Sequence, residues 1–200
     1  MENKIIFATG NAGKMKEIRL IFEDLRMDVI SMAEAGFYDD IVEDGDTFAA
    51  NAQIKAQAIW NKTGGIVLAD DSGLVVDYLN GEPGVYSARY LGDTPYEVKN
   101  QAIIERLKDA GESERSARFV SNIAAVLPDG TVLHTEATLE GVIAHQIAGS
   151  GGFGYDPILY LPEYQKTSAE LDIKEKNRIS HRGKALALMS IELKKALGGN

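Results

Sequence analysis

No cysteine occurs among the 200 residues. That excludes a disulfide scaffold, a cysteine-based zinc or iron–sulfur site and any cysteine nucleophile. Basic side chains are also scarce: 21 Lys and Arg stand against 30 Asp and Glu, a formal charge of −9. Such a surface repels nucleic acid polymers and anionic membranes as bulk partners, although a small anion can bind where basic side chains converge. Long apolar runs are missing. Ile5-Ile6-Phe7-Ala8, the longest near the start, is too short for a signal-peptide core or a membrane helix. Glu at position 2 excludes myristoylation. Prolines number only five, and no Ser/Gly linker, internal repeat or low-complexity tract separates domains. These absences leave the expectation of a soluble cytoplasmic protein. Hydrophobic residues at 44% exclude disorder over the whole chain, and the length suits one domain of ordinary size, or at most two small lobes sharing a core.

What is present alternates short β-rich runs with helical runs, the pattern of an α/β domain. Lys4 to Thr9 predicts a buried strand, because Ile5, Ile6 and Phe7 are consecutive and β-prone. Gly10-Asn11-Ala12-Gly13 breaks it, and Lys14 to Asp24 predicts a helix with Ile18, Ile21, Phe22 and Leu25 on one face. Met27 to Ser31 predicts a second strand, followed by an acidic loop from Asp39 to Asp46. A long helix is expected from Thr47 through Lys62, with Phe48, Ala52, Ala56 and Ile59 as its stripe and Gly64-Gly65 as its stop. Ile66 to Ala69 predicts a strand that Asp70-Asp71-Ser72-Gly73 interrupts and Leu74 to Tyr78 resumes. After a loop from Gly81 to Asp93, Tyr96 to Ala110 predicts a helix. Arg118 to Leu127 and Val132 to Leu139 flank Pro128-Asp129-Gly130-Thr131, where proline sets φ and glycine accepts positive φ, so a hairpin is expected. Thr167 to Glu170 has capping-box spacing. Leu186, Met189, Leu193 and Leu197 mark a C-terminal helix before Gly198-Gly199.

Five segments carry candidate chemistry. Thr9-Gly10-Asn11-Ala12-Gly13-Lys14 ends a strand and opens a helix, so unpaired N–H groups, the helix dipole and a lysine face one point. This is a phosphate cradle or an ordinary strand–turn–helix connection. It is not a Walker A loop, since the glycine spacing is short and Met15 stands where Ser or Thr is needed. Asp70-Asp71, adjacent at a strand end, point to opposite sides. One of them suits Mg²⁺ binding or general-base work, or the pair simply caps a turn. Glu43-Asp44-Gly45-Asp46 precedes the helix carrying Lys55, and either helps hold a metal or caps the helix through Asp46 or Thr47. Gly151-Gly152-Phe153-Gly154-Tyr155-Asp156-Pro157 embeds aromatics in glycine, as a stacking surface for a flat base or a core-facing plug. Lys174 to Lys184 is the one dense basic stretch, either offsetting phosphates or forming a solvated helix face. His134 and His145 stand alone without a role, and Trp60 reads as packing.

The combination and order of these segments resemble the inosine triphosphate pyrophosphatase family. The resemblance rests on Thr9-Gly10-Asn11-x-x-Lys14, Ala69-Asp70-Asp71-Ser72-Gly73-Leu74, Tyr86-Ser87-Ala88-Arg89-Tyr90, Gly152-Phe153-Gly154-Tyr155-Asp156-Pro157 and Ser180-His181-Arg182, and it spans nearly the whole chain. It implies a long curved mixed β-sheet flanked by helices, in two lobes with a central cleft, and a homodimer. It further implies Mg²⁺-dependent hydrolysis of deaminated purine triphosphates (ITP, dITP, XTP) to the monophosphate and pyrophosphate. By position, Thr9 to Lys14 (Thr9, Gly10, Asn11, Ala12, Gly13 and Lys14) would hold the triphosphate, with Lys55 reaching it from the long helix. Glu43 and Asp71 would bind the metal, and Asp71 would accept the proton from water with Asp70 supporting it. Ser72 would touch substrate, and Phe153, Gly154, Tyr155 and Asp156 would wall the base. Lys176 would meet the nucleotide, while His181 and Arg182 would read the 6-keto edge. Arg89 matches a family position serving substrate or dimer. Departures are Ala50, where relatives often carry glutamate, and the polar Asn177-Arg178 pair. The alternatives are a triphosphatase releasing orthophosphate, a non-catalytic nucleotide-binding module and a plain interaction domain.

Overall fold

The structure, a computed structural model, describes residues 4–24 and 28–198. The expectations at Leu25, Met27 and Gly199 lie outside these residues. Strands β1 (Lys4–Phe7), β2 (Asp28–Ser31), β3 (Ile66–Val76), β4 (Ser116–Val126), β5 (Val132–Ile143), β6 (Leu159–Leu161) and β7 (Lys166–Thr167) form one mixed sheet. Their order is β2-β1-β3-β4-β5-β6-β7. β1 runs parallel to β2 and to β3, whereas β6 is antiparallel to β5 and β7. Parallel neighbours need crossovers, and helices α1 (Ala12–Asp24) and α2 (Phe48–Thr63) supply them between β1, β2 and β3. The remaining helices are α3 (Tyr96–Arg106), α4 (Ile173–Ile179) and α5 (His181–Ala196). Among the described residues, no helix is long and apolar enough to cross a membrane.

The chain divides into two compact units. The first comprises the described parts of Met1–Asp71, Ser121–Ala137 and His181–Asn200. Its core lies on both faces of the strands, which is why Ile5-Ile6-Phe7 in β1 and Ile66-Val67-Leu68-Ala69 in β3 read as apolar runs. On one face Leu68 packs with Ile5, Phe7, Ile18, Phe22, Leu186, Met189 and Leu193. On the other, Val67 and Ala69 pack with Ala52, Ala56, Ile59, Ala124 and Val126. Thr47 caps α2 by accepting the Ala50 N–H at 3.1 Å, and Gly64 ends it by donating its N–H to the Trp60 carbonyl at 2.8 Å. Trp60 is a packing residue, as its sequence context implies, and its ring covers the Gly130 turn between β4 and β5.

The second unit comprises Ser72–Val120 and Thr138–Ser180. Its core gathers Leu74, Val76, Ile103, Leu107, Phe119, Ile143, Ile158 and Leu159. Buried Arg115 spans it, donating to the carbonyls of Leu107, Ile143 and Ala144 at 2.8–3.0 Å. A guanidinium presents enough fixed donors to close three such carbonyls at once.

The structure departs from the sequence expectations at three places. Strand β3 runs without a break through Asp70-Asp71-Ser72-Gly73, because both carboxylates find cationic partners and no turn is needed to bring them to water. The strand instead ends at Asp77–Leu79, a short 3₁₀ turn. Helix α3 stops at Arg106 rather than Ala110, and Leu197 lies exposed past the end of α5.

Candidate active site

In the first unit, the loop after β1 closes on itself before the helix begins. The Asn11 N–H donates to Thr9 Oγ at 3.1 Å, and Asn11 Oδ1 accepts the Lys14 N–H at 3.0 Å. Asn11 therefore caps α1 and fixes where the first helical turn starts. Thr9 and Gly13 are half-buried, while Gly10, Asn11 and Ala12 are exposed. The positive end of a 13-residue helix is thus open to an anion.

Alternation along β3 sends its two aspartates to opposite faces. Asp70 joins the Leu68 face, where Oδ2 meets Lys14 Nζ at 2.7 Å and Arg182 Nε at 3.2 Å, and Oδ1 accepts the Ser121 hydroxyl at 2.6 Å. Asp71 joins the α2 face. Its Oδ1 accepts from Lys55 Nζ at 3.0 Å, and the same ammonium reaches Glu43 Oε2 at 2.7 Å. Asp71 Oδ2 is buried and has no hydrogen-bond partner among the described residues. The two aspartates therefore bond to different cations, while Lys14, the partner of Asp70, also acts electrostatically on Asp71.

Charge and burial decide the protonation states. Burial works to raise Asp70, but Arg182 and Lys14 outweigh it and hold this carboxyl well below the usual range. Burial also raises Asp71, and there the pull of Lys55 does not fully offset it, so Asp71 sits above the usual carboxylate value. Burial pulls Lys55 down, yet Asp71 and Glu43 together hold it above the usual lysine value. Lys14 is lowered by burial, only partly compensated by Asp70. A depressed carboxyl contributes stability that is fully present above its unfolded value and is lost as pH falls through its folded one. The Asp70 contribution should thus hold down to about pH 4 and fade below it. Urea unfolding across pH 6 to 2.5 checks this: Asp70→Asn is expected to be less stable at pH 6 and to lose less on acidification than the parent chain.

The glycine-rich loop belongs to the second unit. Asp156 organises it: Oδ2 accepts the Phe153 N–H at 2.8 Å and Lys176 Nζ at 2.8 Å, and Oδ1 accepts the Ser168 hydroxyl at 2.8 Å. A Cβ at Gly152 would fall on Asp156 Oδ2, so this position, at φ +69°, requires glycine. Asn100 Nδ2 donates to the Gly154 carbonyl at 3.1 Å. Tyr155 is the core-facing plug: it is buried, meets Tyr96 edge-on at 5.3 Å and donates its hydroxyl to the Ser87 carbonyl at 2.8 Å. Burial raises the Tyr155 pKa far above the usual value, so the hydroxyl stays protonated. Phe153 is half-buried, with Lys176 Nζ 5.2 Å from its ring centre. Asp156 and Lys176 form a buried ion pair. Removing one partner strands the other charge, so Asp156→Ala should cost about 3–5 kcal/mol in denaturant unfolding. Adding Lys176→Met to that variant should recover part of the loss.

The first unit thus gathers Lys14, Asp70 and Arg182 on one face of β3, and Glu43, Lys55 and Asp71 on the other. His181 is buried at the first position of α5. The second unit gathers Phe153, Asp156 and Lys176, with Ser72 half-buried on β3 and Arg89 against the Tyr86 ring at 5.3 Å. The basic stretch is a solvated face only in part: Lys176, His181 and Arg182 are buried, whereas Lys174, Arg178 and Lys184 are exposed. Three polar residues escape the motif reading: Ser121, Ser168 and Asn100. Ser121 leaves a trace, because Ser121-Asn122 breaks the run of apolar residues from Phe119 to Val126. Ser168 and Asn100 leave none.

The model of the Ham1 family matches residues 5–191. A dITP/XTP pyrophosphatase of Desulforamulus reducens is 47% identical over 184 residues, covering 92% of each chain. The dITP/XTP pyrophosphatase of Escherichia coli O157:H7 is 45% identical, over 93% of this chain and 95% of that one. Among solved structures, a HAM1 protein from Coxiella burnetii superposes with a TM-score of 0.87 at 42% identity, covering 98% of this chain and all of that one.

Proposed function

The chain belongs to the Ham1 family, and from that premise we propose that it is a nucleoside-triphosphate pyrophosphatase acting on deaminated purine nucleotides such as ITP, dITP and XTP. The products are the nucleoside monophosphate and pyrophosphate, so the enzyme clears damaged nucleotides from the pool. Relatives bearing the name dITP/XTP pyrophosphatase support the substrate class. The observation that carries the chemistry is Asp71. It holds one oxygen against Lys55 and keeps the other buried without a hydrogen-bond partner among the described residues.

The geometry supports these roles. Lys14, at the open end of α1, offsets phosphate charge with the N–H groups of its loop. Asp71 takes the proton from the attacking water at Oδ2, and its raised pKa makes it a better acceptor than an ordinary aspartate. Lys55 holds Asp71 through Oδ1 and ties it to Glu43. His181 and Arg182, at the start of α5, present donors to a 6-keto group. In the second unit, half-buried Phe153 offers a ring face to a flat base.

A hard cation fits the donors present. Glu43 and Asp71 converge on one ammonium, and Asp71 keeps a second oxygen without a hydrogen-bond partner. Among the described residues no group of three or more His, Cys, Asp or Glu forms a complete cage. Mg²⁺ needs none, since it commonly binds one or two carboxylates plus substrate phosphates. Glu43 and Asp71 would hold it. When bound, it would neutralise phosphate charge and polarise the phosphoryl oxygens. The family resemblance also supports a cytoplasmic homodimer, which light scattering would weigh directly.

The test is a panel of nucleoside triphosphates assayed for pyrophosphate. ITP, dITP and XTP are expected to release it with Mg²⁺ and not with a chelator. Turnover of ATP alone, or none at all, would contradict the reading.

A further inference from the structure

Asp70 is a fully buried carboxylate of the first unit held by two cations and a hydroxyl. Its side chain has no solvent exposure, and all the contacts named above come from other elements: Lys14 from α1, Ser121 from β4 and Arg182 from α5. Both cations meet the same oxygen, Oδ2, and they belong to chain segments 168 positions apart, by subtraction of 14 from 182. Two positive groups this close repel unless an anion lies between them. Asp70 itself faces away from Asp71, across the strand.

We propose that Asp70 is a positioning residue that fixes Lys14 and Arg182 in one geometry, so that a single carboxylate sets both the phosphate-binding and the base-reading ends of the site. This rests on the roles given to Lys14 and Arg182 under the proposed function. Asp70 touches no substrate and transfers no proton. It makes the two ends interdependent: disturbing one cation shifts the shared oxygen on which the other rests.

Two fragments of the substrate separate the ends. Inorganic tripolyphosphate carries only the phosphates, and inosine carries only the base and sugar. Each is titrated calorimetrically, with magnesium present, into the parent chain and its variants. Asp70→Asn, which keeps the shape and removes the charge, is expected to weaken both fragments by at least about tenfold. Lys14→Met is expected to weaken inosine at least about threefold, and Arg182→Met to weaken tripolyphosphate by as much, although neither side chain would touch that fragment. The reciprocal pair decides the matter even if Asp70→Asn fails to fold. A merely structural role predicts a lower melting temperature with the affinities of the folded variant unchanged. That outcome, or single variants that each lose only their own fragment, would overturn the proposal. A parent chain that binds neither fragment would instead remove the functional reading on which the proposal stands.

Discussion

Replacing Asp71 by asparagine is expected to lower kcat at least about 100-fold while leaving the protein folded. The amide preserves the volume of the side chain and retains an acceptor for Lys55. It cannot take a proton from water at the position of Oδ2. The accompanying effect on stability has a definite sign. Burial raises the Asp71 pKa above the ordinary carboxylate value. A group raised in this way contributes stability only while protonated, and that contribution is lost as pH rises through the folded value. At neutral pH the ionised carboxylate is therefore a cost to the fold. Asp71→Asn should melt no lower than the parent chain, because Lys55 keeps Glu43 as its partner. Lost turnover with unchanged or raised melting temperature separates a catalytic aspartate from a structural one. Near-parental turnover would defeat the assignment.

The second large effect concerns the base. The parent chain should favour ITP over ATP by at least about 100-fold in kcat/KM, because a buried donor that pairs with a 6-keto group is left facing a 6-amino donor in adenine. Arg182→Met should collapse that ratio mainly by lowering kcat/KM for ITP, with much less change for ATP. Steady-state kinetics on both nucleotides, with circular dichroism to confirm folding, measure it. A ratio that survives the substitution would move base reading away from Arg182.

Local signals carried the fold further than the site. Runs such as Ile5-Ile6-Phe7 mark their strands because burial on both faces needs consecutive apolar residues. Thr47 marks the start of α2 through its hydroxyl, and Thr167 with Glu170 forms the capping box its spacing implies. Pro128 to Thr131 turns the chain between β4 and β5, with the Gly130 N–H donating to the Leu127 carbonyl. These devices act within a few residues. The Asp70-Asp71 pair shows the opposite case. On its own it looks like a turn, since two adjacent carboxylates in a strand are costly unless paired. Their partners lie at positions 14, 55, 121 and 182, and only the folded chain brings them together. The basic stretch near the C-terminus hides its burial for the same reason: Lys176 pairs with Asp156, and Arg182 shares Asp70 with Lys14. Family resemblance supplied the candidate residues of the site. The structure alone gives the two aspartates different cationic partners.

Isotope labelling bears most directly on the central claim. ITP is incubated with the protein and Mg²⁺ in water enriched in oxygen-18, and the products are resolved by mass spectrometry. The account predicts inosine monophosphate carrying the label together with unlabelled pyrophosphate, which is the outcome of water attacking the α-phosphorus. Inosine diphosphate with labelled orthophosphate would contradict it.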